Sequence, residues 1–435
     1  MKEPRIFIGV TEVAGYFQNL FLGFKKLGYD AGYLNVQAFS FAYNAYKSEN
    51  YPLLNTLITT AEKANGKESN TFFAFLNKLI YLALKAYVFC WCIFKFDVFI
   101  FATGSAFFRF ADYRILKIFN KQIIHVSLGS DSRPGYLNGA YKDDTAKGNF
   151  DPDQVLMYDN VIVRKIKIIE KYADVIINYP QHAHFHERSF ISGNFIGFPT
   201  VFKPSGLNVS AGSDGFEPVK ILHAPTRPKA KGSVQFRAII DELKSEGLQI
   251  DYREITGKTN LQVIEEIENT DIVLDELYSD LALGGLGSEA ACLGKPVVVG
   301  GYYAQHLATE TLKEDTPPSF YCHPSEIKAA LRKLVLDKSF REKSGRGLQN
   351  FLSKHWKNEM IASKYLKIIK KDYPPFWMMR PEEIDYLYGW GLSEEEARNN
   401  ISLLLKTHGE NSLRLGHNPE LLNRFVNMVS AKVYA

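Results

Sequence analysis

The chain has 435 residues, 46% of them hydrophobic and 23% charged, with a formal net charge of +4. That length suits two or three domains with sizeable cores, and so small a charge does not point to nucleic acid as a partner. Aromatic residues reach 14%, mostly Tyr and Phe, which fits a large core or a surface that meets sugars or lipid headgroups.

Residues 1–5 lack the pattern of a signal peptide. The four cysteines (90, 92, 292 and 322) have neither zinc nor disulfide-ladder spacing. Cys90 and Cys92 lie in an apolar run, where buried thiols are expected, and the set suits a reducing compartment. A cytoplasmic protein is expected, peripheral on the inner face of the cell membrane.

In chain order, Arg5–Val10 is an apolar, β-branched run that reads as a buried parallel strand. The loop Thr11–Gly15 follows. Phe17, Leu20, Phe21, Phe24 and Leu27 then recur at helical spacing, with Gly28 as a helix stop. Residues 31–36 read as the next strand. This strand–loop–helix–strand unit opens a doubly wound sheet, although it lacks the full Gly-x-Gly-x-x-Gly of dinucleotide sites. The run Phe72–Phe94 is almost entirely apolar but carries Lys78 and Lys85, seven apart and so on one helical face. Charges at that depth of a bilayer are costly, so the run reads as an amphipathic helix, packed on a sheet or lying in a membrane interface.

Residues 97–102 and 122–127 read as strands. The second runs into the polar loop Leu128–Gly135, at the strand end where open α/β sheets bind ligands. A helix over 155–172 leads to a strand over 173–178. Residues 203–218, rich in Gly, Ser and Pro, read as an interdomain linker. The pattern then restarts: strands at 219–223, 250–256, 271–277 and 296–299, with helices at 234–246, 261–269 and 288–293. Beyond residue 372, prolines 374, 375 and 381 break the chain, and residues 382–435 read as a helical appendage. Ser393 with Glu396 forms a helix-capping signature there.

Two constellations carry chemistry. In His223–Gly232, a strand end meets three cations just before a helix, and helix amino termini attract anions. Arg227 and Lys231 there suit a diphosphate. In Gly284–Val298, the glycines, Gly287 with Ser288 among them, let backbone amides approach a phosphate. Glu289, placed on the first turn of the following helix, suits a ribose diol. The alternative for each is a solvated basic loop and a plain helix cap. Asp131 and Glu12, in cleft-side loops, are the candidate catalytic carboxylates, and Arg133 is a candidate for phosphate or acceptor. His182, His184 and His186 alternate as zinc ligands on a strand would, but they also suit ordinary loop histidines.

The segments ADVIINYP (173–180), HAPTRPKAKG (223–232), ITGKTN (255–260) and GGLGSEAACLGKPVV (284–298) together resemble GT-B fold glycosyltransferases, in particular the large, mainly retaining bacterial family that uses nucleotide sugars. The resemblance implies two Rossmann-like domains facing across a cleft: residues 1–205 for the acceptor, 206–372 for the donor, then the appendage 373–435. It implies Arg227 and Lys231 on the diphosphate, Glu289 on the ribose, Gly257 beside the base, and Gly9 and Gly15 facing the diphosphate from the first domain. A nucleotide diphosphate sugar would be co-substrate, with no further cofactor and no metal. One departure stands out. The family often shows a second Glu eight residues before the ribose Glu, and Leu281 occupies that place, with Asp275, Glu276 and Asp280 nearby but out of register. The expected function is sugar transfer to a cell-surface glycan or a lipid-linked acceptor. The alternatives are a protein that binds a nucleotide sugar or partner without turnover, and a nucleotide-sugar 2-epimerase, for which the sequence does not assemble a set of carboxylates and a histidine.

Overall fold

The computed structural model describes residues 3–35, 53, 56, 57, 60, 71–102, 107, 108, 110–144, 150–201, 217–312 and 314–430. The expected linker over 203–218 lies outside the described residues except at 217 and 218.

Two mainly parallel sheets form, because two sets of apolar runs are each buried on both faces by helices. The first sheet comprises β1 (Ile6–Val10), β2 (Ala31–Asn35), β3 (Val98–Ala102), β4 (Gln122–Val126), β5 (Val175–Asn178) and β6 (Phe190–Ser192), edged by β12 (Met378–Met379), in the order β12-β6-β5-β4-β3-β1-β2. All its pairings are parallel except the β12 edge. The second comprises β7 (Val219–His223), β8 (Ile250–Glu254), β9 (Ile272–Leu274), β10 (Val297–Gly300) and β11 (Phe320–Cys322), in the order β11-β10-β9-β7-β8, all parallel. The protein is therefore an α/β molecule of two Rossmann-like domains.

Each sheet has a topological switch point. The chain leaves β1 to make β2 on one side and returns to place β3 on the other. It does the same at β7, with β8 on one side and β9 on the other. Ligand crevices of open sheets lie at the carboxyl ends of strands at such points. Here those ends lead into residues 11–15, 224–232 and 275–284.

The described helices used below are α1 (Tyr16–Lys26), α2 (Thr71–Lys95), α3 (Ala111–Ile118), α4 (Pro152–Tyr172), α5 (Ser233–Ser245), α6 (Asn260–Glu268), α7 (Gly285–Cys292), α8 (Ala304–Glu310), α9 (Ile327–Leu336), α10 (Lys338–Phe351), α11 (Asn358–Ile369), α12 (Glu394–His408) and α13 (Pro419–Ser430). In α1, Phe17, Leu20, Phe21 and Phe24 are buried, whereas Leu27, expected on the same stripe, is exposed just past the helix end. Burial of each such side chain contributes about 1.5–3 kcal/mol. The helix expected from 155 starts a turn earlier, with Asp151 accepting from the amides of Asp153 and Gln154 and Pro152 following it.

After the second domain the chain crosses back. A wide helical turn over Leu352–Trp356 leads beside residue 200, where Thr200 donates its amide to the Trp356 carbonyl (2.8 Å) and accepts from the Asn358 amide (2.9 Å). From there α11 packs on α1, with the hydroxyls of Tyr16 and Tyr365 2.9 Å apart. The crossing precedes residue 372, and α11 and β12 both complete the first domain. The tail then straps the two domains. Trp390 exchanges backbone bonds with residues 137 and 139, Gly391 donates to the Tyr278 carbonyl (2.8 Å), and the Glu394 amide donates to the Tyr302 hydroxyl (2.9 Å). The capping box of Ser393 and Glu396 starts α12 as its spacing predicts.

Candidate functional site

Both switch points open onto the same place. The loop 11–15 of the first domain approaches the amino end of α7 in the second, so that a Cβ built on Gly285 would lie 3.4 Å from that of Ala14. Gly15 starts α1 in the left-handed region (φ 79°), which glycine adopts at no steric cost. Glu12 is buried at this turn. Its carboxylate accepts from the amides of Val13 (2.8 Å), Phe17 (3.3 Å) and Gln18 (2.8 Å) and from the Tyr33 hydroxyl (2.7 Å). Burial raises its pKa against those four bonds. Glu12 is thus a fixed anion at the amino end of α1, with both carboxylate oxygens bonded within the chain.

On the opposite side, α7 begins at Gly285, so the glycines expected to form a loop make its first turn. The Gly287 amide donates to Asp275 Oδ2 (3.2 Å), and the Ser288 hydroxyl donates to the Gly284 carbonyl (2.8 Å). Glu289 therefore stands one turn deeper than expected. It is partly exposed and accepts from Asn260 Nδ2 at the start of α6 (2.7 Å). Burial raises its carboxyl to about 7, opposed by the Asn260 bond. Gly257 is exposed in the turn just before Asn260.

Between β7 and α5 the turn 224–232 carries Arg227, partly exposed, and Lys231, buried. His223 ties this turn down, with its ring nitrogens 3.0 Å from the Leu274 carbonyl and 2.8 Å from the Ser233 hydroxyl. Lys231 Nζ lies 3.3 Å from Asp275 Oδ1 and 3.0 Å from Glu276 Oε1. Burial alone would lower the Lys231 pKa, but the two carboxylates outweigh it and raise it. Asp275 is pushed upward by burial, with Lys231 opposing.

A continuous line of polar contacts runs from here across the domain boundary. Glu276 Oε2 accepts from the Trp390 indole (2.6 Å), and the Arg133 guanidinium lies over that indole, 5.9 Å from its centre. Arg133 donates through Nε (3.0 Å) and a terminal nitrogen (2.5 Å) to Asp280 Oδ2, which also lies 3.1 Å from His182 Nε2. Gln181 donates to the Asp280 carbonyl (2.8 Å). Burial would raise Asp280, but Arg133 and His182 outweigh it and hold the carboxyl far below its usual range. Asp131 closes its own loop, accepting from the amides of Leu128 (3.1 Å) and Gly129 (2.9 Å).

The structure thus gathers Gly15, Lys231, Gly287, Ser288 and Glu289 at the facing switch points. Arg227 and Gly257 lie on the adjoining turns. Arg133 is committed to Asp280 across the boundary. Sequence reasoning named Glu276 and Asp280 only as carboxylates out of register, and missed Trp390 and the Asp280–His182 pair. Asp280 precedes Leu281, where the family pattern expects a carboxylate, so a shift of one residue was the available signal. The three alternating histidines do not share a strand face: His182 ends a short turn, His184 Nε2 meets the Tyr386 carbonyl (2.8 Å), and His186 Nδ1 meets Glu170 (2.9 Å). A surface hollow of about 320 Å³ lined by Lys117, Gln122, Asp174 and Lys371 lies at the amino ends of the strands, away from both switch points.

No family model matches the chain, and no curated protein matches it. Among solved structures, HepE from Anabaena, solved with UDP and glucose, is 12% identical over 85% of this chain and 100% of its own, with a TM-score of 0.47. The lipopolysaccharide outer core galactosyltransferase WaaB, in its apo form, is 11% identical over 85% of this chain and 99% of its own, with a TM-score of 0.42. UDP-GlcNAc 2-epimerase from Neisseria meningitidis, bound to UDP-GlcNAc, is 12% identical over 84% and 99%, with a TM-score of 0.35. The class of the chain is set by its own two facing, doubly wound domains.

Proposed function

We propose that the chain transfers a sugar from a nucleotide diphosphate sugar to a hydroxyl of a glycan or lipid-linked acceptor. What supports this reading is the approach of the two switch points, where the loop 11–15 meets the amino end of α7, with Lys231 and Glu289 on neighbouring turns. Glu289 takes the ribose diol, and Lys231 with the α7 amino end takes the diphosphate. The bond from the sugar's anomeric carbon to the diphosphate oxygen breaks as that carbon bonds to the acceptor oxygen. The acceptor's proton passes to the leaving phosphate, so no protein base is needed, and the chain's share is charge stabilisation of the departing diphosphate. This suits the internal bonding of Glu12 and Asp131.

Ligand-observed NMR of the purified chain against a panel of nucleotide diphosphates and their sugars tests the reading. Selective binding of one nucleotide sugar is the expected result; binding of none by folded protein overturns it.

One observation favours a second reading, a binder without turnover: the charges of Lys231 and Arg133 are already matched by Asp275, Glu276 and Asp280. Release of free nucleotide diphosphate on adding acceptor separates enzyme from binder. A product that is still a nucleotide sugar identifies an epimerase, for which Asp280 and His182 supply a paired carboxylate and imidazole.

A further inference from the structure

The helix α2 has two faces of unlike fate. Along its second half, Val88, Phe89, Cys92 and Ile93 are buried against the first sheet. The opposite face stays outside: Phe75, Leu79, Leu82, Tyr87 and Phe94 are 61%, 47%, 51%, 56% and 74% exposed. Cys90, expected to be buried, lies on this outer face. The stripe does not end with the helix. Phe94 meets Phe119 with ring centres 6.2 Å apart, and Ile118 at the end of α3 is 70% exposed. The outer face therefore runs some 30 Å at 1.5 Å per residue, a larger apolar surface than scattered single side chains make.

Charge decides what it fits. No acidic residue occurs in α2; of its lysines, Lys78 is exposed, Lys85 lies half-buried over the rings of Tyr81 and Phe108, and Lys95 pairs with Asp30. The one acid of α3, Asp112, is buried and accepts from the Phe107 amide (2.6 Å), while Arg114 is exposed. A two-fold pairing of this face with a second copy would bring the exposed Lys78 and Arg114 no exposed acid of α2 or α3 to meet them. An anionic lipid surface offers headgroup phosphates to the cations and acyl chains to the apolar stripe. The segment Phe75–Lys95 is long and apolar enough to cross a membrane. The inner side of its second half is nevertheless committed to the sheet core, so lipid cannot surround it.

We infer that the outer face of α2, with the end of α3, lies flat on an anionic phospholipid bilayer, the helix axis parallel to the membrane plane. This stands whether or not the chain transfers sugar. Co-sedimentation of the full chain with vesicles of phosphatidylcholine, with and without phosphatidylglycerol, tests it. The chain should pellet with the anionic vesicles and be released by high salt. Leu79→Glu/Leu82→Glu, at exposed positions, should weaken partitioning about tenfold or more. Lys78→Glu/Arg114→Glu should remove the preference for phosphatidylglycerol. Wild-type chain remaining in the supernatant overturns the inference, as does wild-type partitioning of both double variants. A dimer in light scattering that Leu79→Glu/Leu82→Glu breaks, without vesicle binding, assigns the face to a second copy instead. Retention through both high salt and alkaline carbonate overturns the flat placement in favour of a span.

Discussion

Glu289 is the residue whose chemistry is easiest to test. Burial raises its carboxyl to about 7, and the ionised form is the stronger acceptor for a diol. Nucleotide affinity should rise as pH climbs from 6 to 8 and level off beyond, and Glu289→Gln should flatten that profile in titration calorimetry. Glu289→Ala should leave the fold intact and weaken nucleotide binding by roughly tenfold to a hundredfold, the worth of hydrogen bonds to a charged group. A second test lies away from the cleft. Asp159 is buried, accepts from the Gly135 amide (2.6 Å), and is raised to about 8 by burial. A carboxyl raised on folding stabilises the protein in acid, and that stability is lost as pH rises through its ordinary range towards 8. Asp159→Asn should therefore make the chain at least as stable as wild type at pH 9 and remove this loss, as read by urea unfolding across pH. Sequence alone marked Glu289 and Lys231 because each follows a strand end in a glycine- or cation-rich turn. It could not mark Asp280 with His182 and Arg133, since that contact exists only once the two domains meet. Nor did it show that Arg133 and Glu12 have partners inside the chain, because a loop charge reads the same whether its partner is a ligand or a neighbour.

At the scale of elements, the contact of α1 with α11 is the tightest joint of the first domain. Gly23 lies so close to the Asn358 carbonyl and Ala362 that a side chain there has no room. Gly23→Ala should destabilise the protein by about 1–3 kcal/mol, the usual cost of overpacking, measurable in chemical unfolding. The strands β1, β3, β5 and β10 were legible because buried parallel strands are nearly unbroken runs of β-branched or aromatic residues. The strands β6 and β12, three and two residues long, were not, since so short a run has no period to read. The amino end of α7 was misplaced for a related reason: glycines read as loop, yet close packing beside Asp275 and Leu283 makes them the first turn of a helix. The early start of α4 was written in Asp151 and Pro152 and went unused.

The molecule as a whole is held by charges that span its domains. Arg133 and Asp280 are both buried, and removing Arg133 leaves Asp280 with only His182 beside it. Arg133→Met should cost about 3–5 kcal/mol in unfolding free energy, and Arg133→Met/Asp280→Leu should recover much of that, since an apolar pair replaces the ions. The two-domain architecture was legible from the restart of the strand–helix pattern after residue 218. The return of the chain was not, because nothing in the sequence of 358–379 says which sheet it joins. That return bears on how the protein is made. A ribosome that has released the first domain's own strands has not yet made the helix and edge strand that finish it. At about 5–20 residues per second, roughly ten to forty seconds of synthesis separate the two. Through that interval the nascent chain presents the outer side of α1 and the edge of β6, and a chaperone that binds apolar segments should find it there.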